Sequence, residues 1–111
     1  VLNSTEILAK APDGSALPAK SRLQVYSMKK VDEGKYARDR KLKSLYLDGL
    51  GSVNLSLAQN PHLFVFTYDK QEYGQAVYTE IGKEQQIVIQ AMSNNAINEG
   101  TQFSLTVSGW C

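Results

Sequence analysis

The stretch GSVNLSLAQNPHLFVFTYDKQEYGQAVYTEI, residues 51–81, carries the clearest hydrophobic pattern in the chain. In its first part, Val53, Leu55 and Leu57 alternate with polar residues, which is the two-residue period of a half-buried strand. Polar and turn-forming residues then interrupt the pattern twice. The stretch therefore predicts three consecutive strands, the second over 62–69 and the third over 73–81.

The second of these strands is apolar on both faces. Phe64 and Phe66 alternate with Leu63 and Val65, so the two pairs lie on opposite faces of the strand. A strand of this kind is expected to be buried on both faces, in the centre of a sandwich or beneath a covering segment. Residues 62–69 are therefore predicted to form the centre of the fold.

The segments on either side of this stretch also have strand patterns separated by turn residues. An edge strand is predicted over 3–11, and further strands are predicted over 21–29, 43–48, 85–92 and 101–108, the last with Phe103, Leu105 and Val107 directed inward. Seven or eight short strands without a helix are typical of an all-β, antiparallel β-sandwich, Ig-like or transthyretin-like. With 111 residues, the chain is predicted to be a single β-sandwich domain, 1–111.

Positive charge is concentrated in the first part of the chain, although the net charge is only +1. Residues 1–43 contain ten of the twelve Lys and Arg, and the run KKVDEGKYARDRKLK over 29–43 contains seven of them. This run interrupts the strand pattern, and we predict a long exposed loop, a type of segment that is often functional. The candidate partner-binding residues are Lys29, Lys30, Lys35, Tyr36, Arg38, Arg40, Lys41 and Lys43.

Three interpretations of this run remain open. It is a solvated charged loop, a docking surface for an acidic protein, or a site for nucleic acid or another anionic polymer. In the last case Tyr26, Tyr36 and Tyr46 would stack on bases. Acidic residues within the run weaken the positive field that a nucleic acid would require; they are Asp32, Glu33 and Asp39.

Few residues in the chain carry catalytic or metal-binding chemistry. His62 is the only histidine and Cys111 the only cysteine, which excludes the usual zinc frameworks. A small hydrolase subunit using His62 would need a nucleophile and an orienting acid beside it, and no nucleophile motif accompanies it. The acidic and amide residues follow no calcium-loop spacing. We therefore predict no catalytic residue, no metal and no cofactor.

Parts of the chain resemble known sandwich domains. The segments APDGSALPAKSRLQVYSM, GSVNLSL and HLFVFTY resemble transthyretin-like or carboxypeptidase-regulatory domains of bacterial surface and periplasmic lipoproteins. The segment GTQFSLTVSG is similar to the closing strand of β-sandwich domains appended to secreted peptidases. The resemblance implies a non-catalytic, extracytoplasmic binding or assembly module, of the accessory, adhesion or secretion-associated type. No functional residue is carried over from these families.

The expected partners follow from these observations. A protein partner is expected first, a surface glycan second, and nucleic acid third. No apolar run approaches the ~20 residues that span a bilayer. Membrane tethering through an N-terminal lipid signal ahead of Val1 is kept as an alternative. The sequence starts at Val1 and not at Met, which fits either a processed mature protein or a piece cut from a longer one. Together with the strand pattern and the absence of catalytic motifs, this start leads us to expect a periplasmic, cell-surface or secreted location.

Overall fold

Eight strands form two sheets in the computed structural model, which describes residues 4–18, 20–57, 60–79 and 84–105. The strands are β1 (Ser4–Lys10), β2 (Arg22–Asp32), β3 (Lys35–Tyr46), β4 (Ser52–Leu55), β5 (Pro61–Tyr68), β6 (Gln71–Tyr78), β7 (Glu84–Gln90) and β8 (Ala96–Ile97). A three-stranded sheet has the order β4-β1-β7, and a five-stranded sheet has the order β3-β2-β5-β6-β8. The predicted all-β sandwich of seven to eight strands is confirmed.

The main core lies between the two sheets. The small sheet contributes Ile7 and Ile89, and the large sheet contributes Phe64 and Phe66, all at most 1% exposed. In the small sheet, Ile7 and Ile89 alternate along their strands with more exposed residues, as expected for a sheet with one solvated face. The inward face of the small sheet therefore covers only one face of β5.

A second, smaller core covers the other face of β5. Leu63 and Val65 are buried there with Ala76 and Ile97. Partly buried side chains from β2 and from residues 101–105 pack against them; these are Tyr26, Met28, Phe103 and Leu105. The prediction that β5 is buried on both faces is confirmed, because a different layer covers each face.

The strand predicted over 3–11 is present as β1, but its predicted edge position was wrong, because β1 occupies the centre of the small sheet. It pairs antiparallel with β4 and parallel with β7, with Ile7 opposite Val53 and Ile87. The parallel pairing also departs from a purely antiparallel sandwich. The polar residues Glu6 and Lys10 reflect a solvated sheet face and not an edge, and a local pattern does not distinguish the two.

Residues 29–43 form a β-hairpin, so the predicted long loop was also wrong. β2 continues to Asp32 and β3 begins at Lys35, and Gly34 in the turn has a φ of 72°, which favours glycine. The strand predicted over 43–48 is the last part of β3. β2 pairs with β5 only at residues 24–27, so the hairpin beyond them is held by its own ladder and needs few apolar side chains.

The end of the described chain differs from the predicted strand over 101–108. Phe103 forms one isolated antiparallel bridge with Tyr36, with N–O distances of 2.8 and 2.9 Å. Phe103 and Leu105 are directed inward as expected and pack on the second core. The packing of these two side chains places residues 103–105 over the second core. Of the described residues in this segment, only Phe103 pairs with β3. Residues 106–108, with Val107, lie outside the described residues.

Truncation on each face of β5 tests the two-core arrangement. We expect Phe64→Ala to lower the free energy of unfolding by about 3–5 kcal/mol, and Leu63→Ala by about 2–5 kcal/mol, because both leave buried cavities. Val88→Ala on the outer face of β7, where Val88 is 51% exposed, is the control. Val88→Ala should lower the free energy of unfolding, measured by urea denaturation, by less than about 1 kcal/mol. A Leu63→Ala effect as small as that of the control would contradict the second core.

Candidate functional site

The predicted partner-binding residues all lie on the β2–β3 hairpin, and residues 29–43 of this hairpin are termed the basic arm. Six of its cations are exposed, namely Lys29, Lys30, Lys35, Arg40, Lys41 and Lys43. Arg38 and Tyr36 are half-buried. The structure therefore brings the predicted residues together on one hairpin, although their backbone is paired and not a loop.

Irregular pairing within the hairpin changes the direction of the cationic side chains. Lys43 lies opposite Val25, Lys41 opposite Tyr26, and Arg38 opposite Met28, so β3 contains extra residues at two points. At the second point, the Ser27 hydroxyl accepts a hydrogen bond from Arg40 N at 3.1 Å and donates to Arg40 O at 3.3 Å. Such bulges bend a strand and increase its twist. The register places Lys43 on the main-core side of the sheet and Lys41 on the second-core side.

Arg38 ties the basic arm to the body of the domain. Its guanidinium group donates two hydrogen bonds to the Glu72 carboxylate on β6, at 3.1 and 3.3 Å. The same group lies over the ring of Tyr26, with Cζ 4.9 Å from the ring centroid. The bond to Glu72 raises the pKa of Arg38 further above its usual value, so this side chain stays charged. Arg38 therefore holds the arm over the second core.

Most of the other cations on the arm are not neutralised within the domain. Lys30 lies 3.1 Å from Glu33 at the tip, in an exposed pair that contributes at most ~1 kcal/mol. The others have no ion-pair partner in the part of the chain that the structure describes; they are Lys29, Lys35, Arg40, Lys41 and Lys43. These five charges give the arm a positive surface that faces solvent.

The outer edge of β3 forms one side of this surface. β3 is the last strand of the five-stranded sheet and pairs with β2 on its inner side. On its outer side, Tyr36 pairs with Phe103, and no other described residue forms a ladder with β3 there. Leu42 and Tyr46 on this strand are 41% and 61% exposed. The exposed edge combines unpaired backbone groups, cations and two apolar side chains.

The tyrosines of the hairpin are not arranged as open stacking platforms. Tyr26 is half-buried beneath Arg38. Arg22 lies over the ring of Tyr46, with Cζ 4.5 Å from the centroid. Tyr36 is half-buried, and its backbone pairs with Phe103. Arginine occupies one face of two of the three rings, so fewer faces are open for base stacking.

His62 forms a buried link between β5 and the segment that follows β6. His62 is only 3% exposed. Its Nδ1 lies 2.9 Å from the Asn60 carbonyl oxygen and 3.0 Å from Thr79 Oγ1. A carbonyl oxygen only accepts, so Nδ1 carries the proton. Ser27 lies opposite His62 on β2, but its hydroxyl is bonded to the Arg40 backbone. This geometry fits a structural role for the imidazole.

Burial lowers the pKa of His62, because the charged imidazolium loses its hydration. The positive charge of Lys43 lowers this pKa further, and the hydrogen bond to Asn60 opposes both effects. The folded protein therefore binds a proton at His62 less readily than the unfolded chain does.

A polar hollow on the outer face of the small sheet was not predicted from the sequence. It has a volume of about 500 Å³ and is lined by Glu6, Asn54, Glu84, Gln85 and Gln86. Glu6 accepts hydrogen bonds from Ser52 Oγ at 3.0 Å and Gln86 Nε2 at 2.7 Å, so both of its oxygens are engaged. The alternating polar residues on β1 and β7 indicate a solvated sheet face, but they do not predict a hollow on it.

Within residues 4–105, apart from the undescribed positions, no three His, Cys, Asp or Glu side chains are grouped to hold a metal ion. The same residues include no helix that is both long enough and apolar enough to cross a membrane. No protein-family model matches the chain, and no curated protein matches it significantly.

The pKa of His62 predicts a stability change with pH. Above the usual pKa of 6.5, both the folded and the unfolded chain carry a neutral imidazole. The contribution of His62 to the free energy of unfolding is then fully present. As the pH falls through 6.5 toward the lowered pKa of the folded state, the unfolded chain gains its proton first. The free energy of unfolding should then fall by up to about 1.4 kcal/mol per pH unit.

Urea denaturation of the wild-type protein and of His62→Gln between pH 7.5 and 5 measures this effect. Only the slope with pH is compared, because the substitution also removes packing. The slope below 6.5 should be reduced in the variant, since His62 is the only histidine. An NMR titration of the wild-type imidazole gives an independent value, and a pKa at or above 6.5 would contradict the account.

Proposed function

We propose that this chain is a non-catalytic binding module that docks an acidic protein surface through the basic arm. The observation that carries the proposal is the group of five exposed cations without described ion-pair partners on one two-stranded element. Because the net charge of the chain is only +1, the positive field is local to the arm. Local fields of this kind steer the encounter with an oppositely charged partner and select its orientation.

The anchoring of the arm supports a preformed docking surface. The Arg38–Glu72 pair and the Tyr36–Phe103 bridge hold the arm at two separate points. An anchored surface loses less conformational entropy on binding than a mobile loop does. The cations on it are therefore available to a partner without an ordering step for the backbone.

A protein partner is favoured over nucleic acid by two features. Arginine side chains already lie over Tyr26 and Tyr46, which leaves few open rings for bases. Acidic side chains also lie among the cations; they are Asp32, Glu33 and Asp39. Mixed charge suits a protein surface that carries both signs, whereas phosphate chains carry only one.

The resemblance to transthyretin-like domains of bacterial surface and periplasmic lipoproteins supports an extracytoplasmic accessory or assembly role. The segments that carry it are APDGSALPAKSRLQVYSM, GSVNLSL and HLFVFTY. In this role the module would join a larger assembly through the basic arm. Fractionation of the native cells tests the location, and recovery in the cytoplasm alone would contradict it.

Removal of charge from the basic arm should weaken binding of an acidic probe. The variant replaces Lys35, Lys41 and Lys43 with Gln, and the probe is a fluorescent polyglutamate peptide followed by anisotropy. We expect affinity at low salt to fall about tenfold, because three screened pairs of about 0.5 kcal/mol each are lost. The wild-type affinity should also fall as salt is added.

A second triple variant controls for net charge. It replaces Lys10, Lys20 and Lys70 with Gln, so it has the same net charge with an intact basic arm. Its affinity should stay within about twofold of the wild type, a change below ~0.5 kcal/mol. Equal weakening in both variants would show that only net charge matters and would contradict the proposal. Tighter binding of a single-stranded oligonucleotide of equal charge would assign the arm to nucleic acid instead.

A further inference from the structure

We infer that the acidic partner is an extended segment that adds as a strand to the outer edge of β3 at residues 43–46. This inference rests on the proposed function and specifies how the partner binds. In strand addition, main-chain hydrogen bonds supply affinity, and alternate side chains supply specificity. Three observations on β3 lead to it.

The first observation is the exposed edge itself. β3 is 12 residues long, well above a mean strand of about 5–6 residues. Residues 43–46 pair with residues 22–25 in regular register, and the irregular pairing starts only beyond Val25. No described residue pairs with 43–46 on the outer side. Alternate N–H and C=O groups of a strand edge point away from its neighbour and are free to pair with another chain.

The second observation is that this edge already accepts an extended segment of the same chain. Phe103 pairs antiparallel with Tyr36, giving and receiving one backbone hydrogen bond. The contact is at the opposite end of β3, so it leaves residues 43–46 open. The outer edge of β3 is therefore accessible to backbone pairing. An incoming strand would pair with the same edge that Phe103 already uses at Tyr36.

The third observation is the charge of the strand, which determines the kind of segment that fits. Arg40, Lys41 and Lys43 are exposed beside the open edge. A second copy of β3 would bring the same three cations close to these, with no acidic residue over 40–46 to offset them, and like charges on adjacent strands are destabilising. Lysine on an edge strand commonly prevents such self-pairing. The same charges attract an acidic strand, so the edge excludes a second copy and admits an acidic segment.

Side-chain positions on β3 specify the partner further. Lys43 and Leu45 share one face, while Ser44 and Tyr46 share the other. Leu45 packs at the border of the main core, and Tyr46 is 61% exposed. A partner strand that mixes acidic and apolar residues would meet Lys43 with a carboxylate and cover Leu45 or Tyr46 with an apolar side chain. By contrast β7, at one edge of the small sheet, has no basic residue over 84–90.

Backbone methylation of a peptide separates strand addition from side-chain docking. The probe is a peptide of alternating Val and Glu with the length of a mean strand, about 5–6 residues, which spans residues 43–46 and leaves the Tyr36–Phe103 bridge in place. Two further forms are N-methylated at alternate residues, one at the even and one at the odd positions. Only one set of amides can face β3, so one methylated form should lose on the order of tenfold or more in affinity. The other should bind within about threefold of the parent peptide.

Amide hydrogen exchange then locates the peptide. Protection should increase at alternate amides of residues 43–46 and should not change at 86–89 of β7. Protection at β7 instead would overturn the inference. Equal binding of all three peptides, with loss in the Lys35, Lys41 and Lys43 variant, would also overturn it but leave the proposed function standing. No binding of any acidic peptide at low salt would contradict both.

Discussion

Burial of β5 on both faces is the constraint on which the rest of the fold depends. Phe64 and Phe66 fill the space between the sheets, and Leu63 and Val65 fill the second core. A strand buried in this way must pair along both edges, because an unpaired buried backbone group costs about as much as a lost hydrogen bond. β2 and β6 provide those pairs. The small sheet covers one face only, so other segments must cover the second.

The basic arm is positioned by that second requirement. Tyr26 and Met28 of β2 pack on the second core, and Phe103 packs beside them. β2 and β3 therefore extend past β5, and the Arg38–Glu72 pair and the Tyr36–Phe103 bridge fasten the extension to the domain. The half-buried side chains of Tyr36 and Arg38 lie against the domain, and the remaining cations face solvent. The hairpin that carries the proposed docking surface thus also contributes Tyr26 and Met28 to the cover over Leu63 and Val65.

Local sequence patterns were sufficient where a residue's neighbours along the chain determine its environment. The alternation around Phe64 correctly predicted a strand buried on both faces. The charge of residues 29–43 correctly indicated exposure but wrongly indicated a loop, because composition reports contact with water and not backbone pairing. The central position of β1 depends on β7, far along the chain. Likewise, Gly74 permits close contact with the Phe64 carbonyl and the Ile97 side chain, and only the assembled sheet brings these groups together.

Native-state hydrogen exchange tests the central claim, that β5 is the doubly covered strand on which the arm depends. The account predicts that the paired amides of 62–67 exchange only through global unfolding, with a free energy equal to that from denaturation. Amides of the arm beyond residue 28 should exchange through smaller openings, because their ladder has no second sheet behind it. Exchange of β5 amides at a lower free energy than those of the arm would contradict the account.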